Sequence, residues 1–349
     1  MKRQTWAIAS VALLASSQLF AADTVTRKSD GKKLSGVISA VSKEEVTVKK
    51  AVGEPDKIAA NDILGVEWDS GGAELRLAYT DEAGGKYETA ITRYTKAKES
   101  AKNPSEFLKA ELEYALARTA AKQAISEGDM TKLTKTAQAL QAVQKLSPDH
   151  FRYYDSMNVL GQVQLAAGDF AAARTSYEVV GKAPWNDYTM LSRISLGKIL
   201  VAENKLDEAA KEFEAAAAAA TNSPTDQARK YEAMLAGARA LVNQAKFEES
   251  LKILELVTDK GPADESALQA EAYVLMGNAL QALGRMKEAS LAYLHVDILF
   301  AKEASLHAEA LYNLTKTWKQ VQLPDRSAEA EQKLVQTYPN SSWRKKLAK

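Results

Sequence analysis

The sequence predicts a mainly α protein in which a small β domain precedes an α-solenoid of stacked helix hairpins. One turn pattern returns at intervals through residues 71–340, with helical periodicity on both sides of each copy. Residues 23–70 differ, because they consist of short β-branched runs separated by turn signals. A basic start with a short apolar run occupies residues 1–22, and a basic tail forms residues 341–349.

The repeated pattern is a small turn residue, one polar residue, one large apolar residue, two polar or small residues, and then Ala or Ser. Gly168, Phe170 and Ala173 form one clear copy, whereas the copy at Gly128 is weaker. The turn residues are spaced 43, 40, 36, 41 and 39 positions apart, at Gly85, Gly128, Gly168, Asn204, Ala245 and Gly284. Self-similarity at this period predicts six or seven stacked supersecondary units.

The flanks of each turn predict two helices that pack as a hairpin. After Gly168, residues Ala173, Tyr177 and Val180 recur at steps of four and three, which places them on one helix face. Small residues such as Gly277 allow two helices to approach closely. Large aromatic side chains are predicted to fill the core beside these small residues, at Tyr94, Tyr177, Phe213 and Tyr293.

These units resemble the tetratricopeptide repeat (TPR) family. The best copy has the family's residue types at seven positions, namely Tyr273, Met276, Gly277, Leu280, Gly284, Ala289 and Tyr293. The units at Ser250 and at Leu133 match less well, and the spacing of about 40 exceeds the family's 34. The resemblance implies a right-handed α-solenoid over residues 71–340 whose first helices line a concave groove. It implies protein binding rather than catalysis.

Residues 23–70 predict a small curled β domain. Asp30-Gly31 is a hairpin signal, Gly36 predicts a bend within a strand, and Trp68 is predicted to lie in the core. The order of strands and turns resembles Sm-like or SH3-like barrels. Members of the first class often bind RNA, but this segment has no basic face with interleaved aromatic residues, so a docking cap or second protein-binding module is the preferred interpretation. The short junction after Trp68 predicts that the domain packs on the first repeat.

The first 22 residues resemble a bacterial secretory signal peptide. Lys2 and Arg3 precede an apolar run that is too short for an ordinary membrane span, and cleavage is expected after Ala21 or Ala22. An uncleaved anchor is the alternative. The sequence contains no Cys, which excludes disulfides, thiolate metal sites and a lipoprotein anchor. We therefore expect a periplasmic or otherwise extracytoplasmic protein.

Composition and motifs favour no enzyme class and no cofactor. Lys and Arg total 46 against 45 Asp and Glu, and removal of Lys2 and Arg3 leaves 44 against 45, a net charge of −1 that does not favour nucleic acid. The sequence has only three histidines, His150, His295 and His307. His295 and His307 could face each other, but a third ligand is not evident, so we predict no metal site. Phosphate-binding and nucleophile motifs are absent.

A protein or peptide partner is predicted to bind in the concave groove. From the family's register, the groove-facing residues are Asn158, Gln162, Lys198, Arg239, Asn278 and Gln281. Three aliphatic residues are expected beside them, at Ile194, Leu235 and Val274. Amides can satisfy a peptide backbone, and the two cations can hold a carboxylate. The alternatives are a structural subunit of a bacterial envelope assembly complex that docks through an edge, and a self-associating protein.

Overall fold

The computed structural model describes residues 22–347, so residues 1–21 of the predicted signal peptide and the last two residues of the predicted tail lie outside the described residues. A five-stranded antiparallel sheet comes first, with strands β1 (Asp23–Arg27), β2 (Lys33–Val41), β3 (Glu45–Lys49), β4 (Asp56–Ala59) and β5 (Ile63–Glu67). Two single-turn 3-10 helices flank β5, at Ala60–Asp62 and Asp69–Gly71. The strand order is β4-β3-β2-β1-β5.

The sheet curls because β2 changes partners at its centre. Gly36 is the last β2 residue to pair with β1, and the next residue already pairs with Lys49 of β3. A Cβ on Gly36 would lie 2.4 Å from the carbonyl oxygen of Lys49, so only glycine fits at this bend. Val25, Val46 and Trp68 fill the interior. The predicted small β domain and its core tryptophan are confirmed.

Fifteen helices follow within the described residues, and the first fourteen form seven antiparallel hairpins. The first helices of the hairpins are α1 (Gly72–Ala83), α3 (Glu106–Glu127), α5 (Tyr153–Ala166), α7 (Asn186–Ala202), α9 (Pro224–Asn243), α11 (Ser266–Ala282) and α13 (Ala304–Gln320). The second helices are α2 (Tyr87–Ser100), α4 (Met130–Leu146), α6 (Phe170–Val180), α8 (Leu206–Ala218), α10 (Phe247–Lys260), α12 (Met286–Leu299) and α14 (Pro324–Thr337). Helix α15 (Ser342–Leu347) packs on α13.

The hairpin turns share one backbone conformation. In each turn a single residue has a φ between 57° and 77°, and the second helix begins two residues later. These residues are the six turn positions predicted from the sequence and a seventh, Gln322. The predicted repeat is therefore confirmed, and it extends to the last hairpin, whose turn residue gives no turn signal in the sequence.

Small residues and aromatic rings interlock between the two helices of the best-matching hairpins. A Cβ at Gly161, Gly197 or Gly277 would lie 2.4–2.6 Å from the ring of Tyr177, Phe213 or Tyr293. These three aromatic side chains and Tyr94 are at most 2% exposed. The predicted core role of the aromatic series is confirmed, and these helices pack at a separation that only glycine permits.

The β domain and the first hairpins share one core. Val25, Ile63 and Trp68 of the β domain belong to the same buried cluster as Leu75 of α1 and Leu112 of α3. The β domain therefore packs directly on the first repeat, as the short junction indicates. Among residues 22–347, no helix is both long enough and apolar enough to cross a membrane.

Candidate functional site

The first helices contact one another along the stack, and polar contacts join them on the surface they form. Helix α9 packs on both α7 and α11, and α13 packs on α11. Lys198 Nζ on α7 lies 3.2 Å from Glu232 Oε1 on α9, and Arg239 on α9 forms an ion pair with Glu271 on α11. We call this surface the first-helix groove. These polar contacts run from one first helix to the next.

An open cleft of about 350 Å³ lies between the two ion pairs. Its walls are Lys198, Glu232, Arg239 and Glu271. Its apolar lining consists of Val201, Phe213, Leu235, Ala236 and Ala240. The cleft thus combines an apolar floor with paired charges at its rim, the composition typical of a site for an extended polypeptide.

The charges in this cleft are mutually stabilised. Burial opposes ionisation of Glu232, but Arg229 at 2.6 Å and Lys198 at 3.2 Å outweigh it and hold the pKa of Glu232 below its ordinary value. The side chains of Lys198 and Arg239 remain 48% and 52% exposed. Each cation can therefore be reached from solvent even though it already has a partner.

The predicted groove residues divide into two groups. Gln162 is exposed and Asn158 is half-buried on α5, while Lys198 and Arg239 line the cleft. Asn278 and Gln281 instead contact a buried side chain of their own hairpin. The hydroxyl of Tyr293 donates to Asn278 Oδ1 at 2.7 Å and lies 3.2 Å from Gln281 Oε1.

The three aliphatic residues expected beside them do not line an open surface. Ile194, Leu235 and Val274 are at most 5% exposed and pack between helices, and only Leu235 reaches the cleft. The first helices pack closely enough to cover Ile194 and Val274, so of these three residues only Leu235 contributes to the cleft.

The β domain also lies over the amino-terminal part of the first-helix groove. Asn61 Nδ2 donates to Asp187 Oδ1 of α7 at 3.0 Å, and the ammonium of Lys43 lies 5.7 Å from the ring centre of Tyr153 in α5. Asn61 and Asp187 are 126 residues apart in the chain, so sequence periodicity gave no signal for this contact. The domain consequently contacts the third and fourth hairpins as well as the first.

Beneath the β domain, the groove is held by buried ion pairs. Arg118 of α3 forms two hydrogen bonds to Glu82 of α1, at 2.5 and 2.7 Å, and Lys122 lies 2.9 Å from the same carboxylate. Burial opposes ionisation of Glu82, but these cations and the hydroxyl of Tyr94 lower its pKa to about 2. Sequence reasoning missed this cluster because its members belong to different repeats.

The histidines occupy three separate environments. His307 Nε2 lies 2.6 Å from Asp297 Oδ1, with Lys333 Nζ also 2.6 Å from that carboxylate oxygen. His295 stacks on Tyr273 with ring centres 4.6 Å apart, and His150 packs on a neighbouring Phe ring. The idea that His295 and His307 face each other was therefore wrong. Residues 22–347 contain no cluster of three or more His, Asp or Glu side chains suited to a metal ion.

Comparison with solved structures identifies the fold. The apo form of RapI superposes with a TM-score of 0.51 at 12% identity, covering 78% of this chain and 77% of RapI. A tetratricopeptide repeat protein from Parabacteroides merdae gives 0.49 at 15% identity, over 78% of this chain and 95% of that protein. A Rap protein complexed with competence and sporulation factor gives 0.48 at 14% identity, over 75% of each chain. No family model and no curated protein sequence matches. The predicted TPR-like solenoid is confirmed as the fold.

Proposed function

We propose that this protein is an exported, non-enzymatic scaffold that binds a protein or peptide partner in the first-helix groove, over α7, α9 and α11. The observation that supports this most directly is the cleft between the Lys198 and Arg239 ion pairs. Both cations are about half exposed above an apolar floor, and each has its carboxylate partner on the adjacent first helix.

An extended polypeptide can use each part of this cleft. Its apolar side chains contact the floor, and its carboxylates compete with Glu232 and Glu271 for the two cations. Exchange of one carboxylate for another is inexpensive, because half-exposed ion pairs contribute only about 0–1 kcal/mol. The charged groups of the cleft neutralise one another as pairs, which suits recognition of a chain rather than acid–base chemistry.

Export is part of the proposal and rests on residues 1–22. Cleavage after Ala21 or Ala22 leaves a chain that begins close to β1 and is released into the periplasm or another extracytoplasmic compartment. Amino-terminal sequencing of the protein recovered from a fractionated bacterial host tests this. A start at Ala22 or Asp23 in the soluble envelope fraction supports export, whereas an intact Met1 in the cytoplasmic fraction contradicts it.

The binding proposal is tested by affinity capture from envelope extract with the mature protein. The variant Lys198→Gln/Arg239→Gln keeps the volume of the cleft approximately and removes both cations. The matched control is Arg193→Gln/Arg285→Gln, whose arginines have similar exposure, 44% and 46%, and are ion-paired but do not line the cleft. A partner that binds the wild type and the control but not the cleft variant supports groove recognition.

One observation favours the second candidate function, docking of this chain as a structural subunit or onto a second copy. Helix α12 carries an apolar stripe of Leu291, Ile298 and Leu299, which are 58–66% exposed. Large exposed apolar groups at helical spacing are typical of an interface. A partner retained by the cleft variant but lost on Leu291→Ser/Ile298→Ser would replace groove binding with docking through α12.

Self-association is separated from both by sedimentation. A discrete oligomer of the mature wild type that dissociates on Leu291→Ser/Ile298→Ser, together with no captured partner, would favour the self-associating alternative. If the protein is a monomer at all concentrations, a captured partner that is lost on Leu291→Ser/Ile298→Ser identifies α12 as a surface for a different protein. A captured partner that is retained by that variant excludes α12 as an interface.

A further inference from the structure

The side chain of Leu64 is exposed on the β domain where the domain meets the first-helix groove. In the β1–β5 ladder Thr26 pairs with Gly65 and Arg27 pairs with Ile63, so Leu64 is skipped by a bulge. Leu64 is 63% exposed, although both Ile63 and Val66 are buried. Bulges re-aim side chains and are enriched next to functional sites.

Leu64 stands between two cavities that lie along the same surface. The smaller, of about 320 Å³, is lined by β5 and Thr26 of β1 together with Tyr79, Arg118 and Arg152 of the solenoid. The larger, of about 720 Å³, is lined by Lys28, Pro224, Tyr231 and residues of the α10–α11 connection. Leu64 lines both of them. The two cavities are open to solvent, lie between the β domain and the solenoid, and meet at Leu64; we call them together the channel.

Strand β5 presents an unpaired edge beside this channel. It is the last strand in the order of the sheet and pairs only with β1. Its residues Leu64, Gly65, Val66 and Glu67 line the smaller cavity. An unpaired edge offers backbone donors and acceptors to an extended peptide, which can add to the sheet as another strand.

Lys28 gives the channel a cation at one end. Within the described residues it has no carboxylate within 4.0 Å, whereas Arg152 and Arg229, the cations nearest to it, each have one. Asp155 and Asp187 face Lys28 at longer range. The backbone N–H of Lys28 donates to Asp62 at 2.7 Å, which fixes it at the beginning of β5. Glu67 lies at the other end of the strand.

We propose that this channel binds the free carboxyl-terminal tail of a partner protein, which adds antiparallel to β5, places an apolar side chain against Leu64 and ends with its carboxylate at Lys28. The antiparallel direction follows from charge, because the opposite orientation would bring the carboxylate to Glu67. The inference rests on the proposed function, since it names the chemistry of the partner and a second part of the groove.

The test uses a random heptapeptide library with free carboxyl termini and the same library amidated, both selected on the immobilised mature protein. We expect the free-acid library to be enriched and the best peptide to lose roughly tenfold or more in affinity on amidation, since hydrogen bonds to charged groups contribute that much. Methylation of alternate backbone nitrogens of that peptide should weaken binding, because only every second N–H faces β5.

Two single substitutions test whether Lys28 and Leu64 form the peptide-binding site. Lys28→Gln should abolish the preference for a free carboxylate, and Leu64→Ser should weaken binding of apolar peptides roughly tenfold. Lys57→Gln and Leu146→Ser are the matched controls, since both side chains are exposed and line neither cavity. Far-UV circular dichroism and the urea midpoint establish that each variant is folded.

Two results would overturn the inference. One is equal enrichment of free and amidated peptides, or no enrichment. The other is free-acid binding that survives both Lys28→Gln and Leu64→Ser. If such binding is lost instead on Lys198→Gln/Arg239→Gln, the channel at β5 fails while groove recognition over α7, α9 and α11 stands.

Discussion

Replacement of Gly277 by Ala is expected to destabilise the sixth hairpin. The new Cβ would lie 2.4, 2.6 and 2.8 Å from three ring atoms of Tyr293, a side chain with no exposed surface. The ring cannot withdraw freely, because its hydroxyl donates to Asn278 at 2.7 Å and lies close to Gln281. Overpacking of this kind costs about 1–3 kcal/mol. The better helix propensity of Ala offsets about 0.5–1 kcal/mol of that, so the net loss is about 0–2.5 kcal/mol, centred near 1 kcal/mol.

The chain contains its own control for this reasoning. Gly237 lies within α9, and a Cβ there would have its nearest neighbour at 3.5 Å, an ordinary contact with Phe213. Gly237→Ala should therefore stabilise the protein by about 0.5–1 kcal/mol through helix propensity alone. Urea unfolding followed by far-UV circular dichroism measures both variants, and the change in midpoint should have opposite signs.

A double-mutant cycle isolates the contact itself. In the fifth hairpin the equivalent positions are occupied by Ala238 and Leu254, which pack in one buried cluster. In a Tyr293→Leu background, Gly277→Ala should thus become neutral or stabilising, which gives a coupling free energy of about 2 kcal/mol. An effect of Gly277→Ala that is the same within about 0.5 kcal/mol in both backgrounds would refute the steric explanation.

The remaining predictions concern a turn, a buried charge and a strand bend. Ala245→Gly should raise stability by about 0.5–1 kcal/mol. The left-handed φ of 57° costs Ala about 1–2 kcal/mol that glycine does not incur, and the larger conformational entropy of glycine in the unfolded chain offsets part of this difference. A lower urea midpoint for the variant would contradict this. Folding lowers the pKa of Glu82 from 4.5 to about 2, so its contribution of about 3 kcal/mol is full above pH 4.5 and disappears as the pH falls towards 2. Glu82→Gln should thus destabilise strongly at pH 7 but little near pH 2, in urea titrations of both proteins at each pH, and an equal penalty at both would refute the role of its charge. Gly36→Ala should cost more than about 2 kcal/mol, because its Cβ would meet the backbone of Lys49, and unchanged Trp fluorescence on urea titration would show that the bend tolerates a side chain.

Much of the fold was predictable because it depends on local chemistry. Glycine or asparagine marks five of the seven hairpin turns, and the left-handed backbone at those positions explains why, whereas Ala245 is marked only by the residues that follow it in the repeat. Gln322 was not predictable as a turn, since glutamine has no preference for that conformation. Its turn forms because Pro324 starts α14 and the packing of α13 against α14 imposes the geometry.

The candidate site was predictable only in part. The repeat register placed Lys198 and Arg239 on the same surface, where they line one cleft, because one helix face follows from periodicity. It could not supply Glu232 or Glu271, which belong to the next repeat and pair across helices. Nor could it place Leu64 or Lys28 beside the solenoid, since the docking of the β domain depends on contacts between residues more than a hundred positions apart.

The ion pairs along the groove differ in how easily they open, and this difference bears on the proposed binding site. Glu82 and Arg118 are 3% and 16% exposed, and removal of one partner from such a buried pair costs about 3–5 kcal/mol. Lys198 and Arg239 are about half exposed, where a pair contributes about 0–1 kcal/mol. A ligand carboxylate can therefore displace Glu232 or Glu271 but not the buried pairs beneath the β domain. The amino-terminal hairpins support that domain, and under the proposed function the exchangeable ion pairs over α7, α9 and α11 are those that a ligand carboxylate would open.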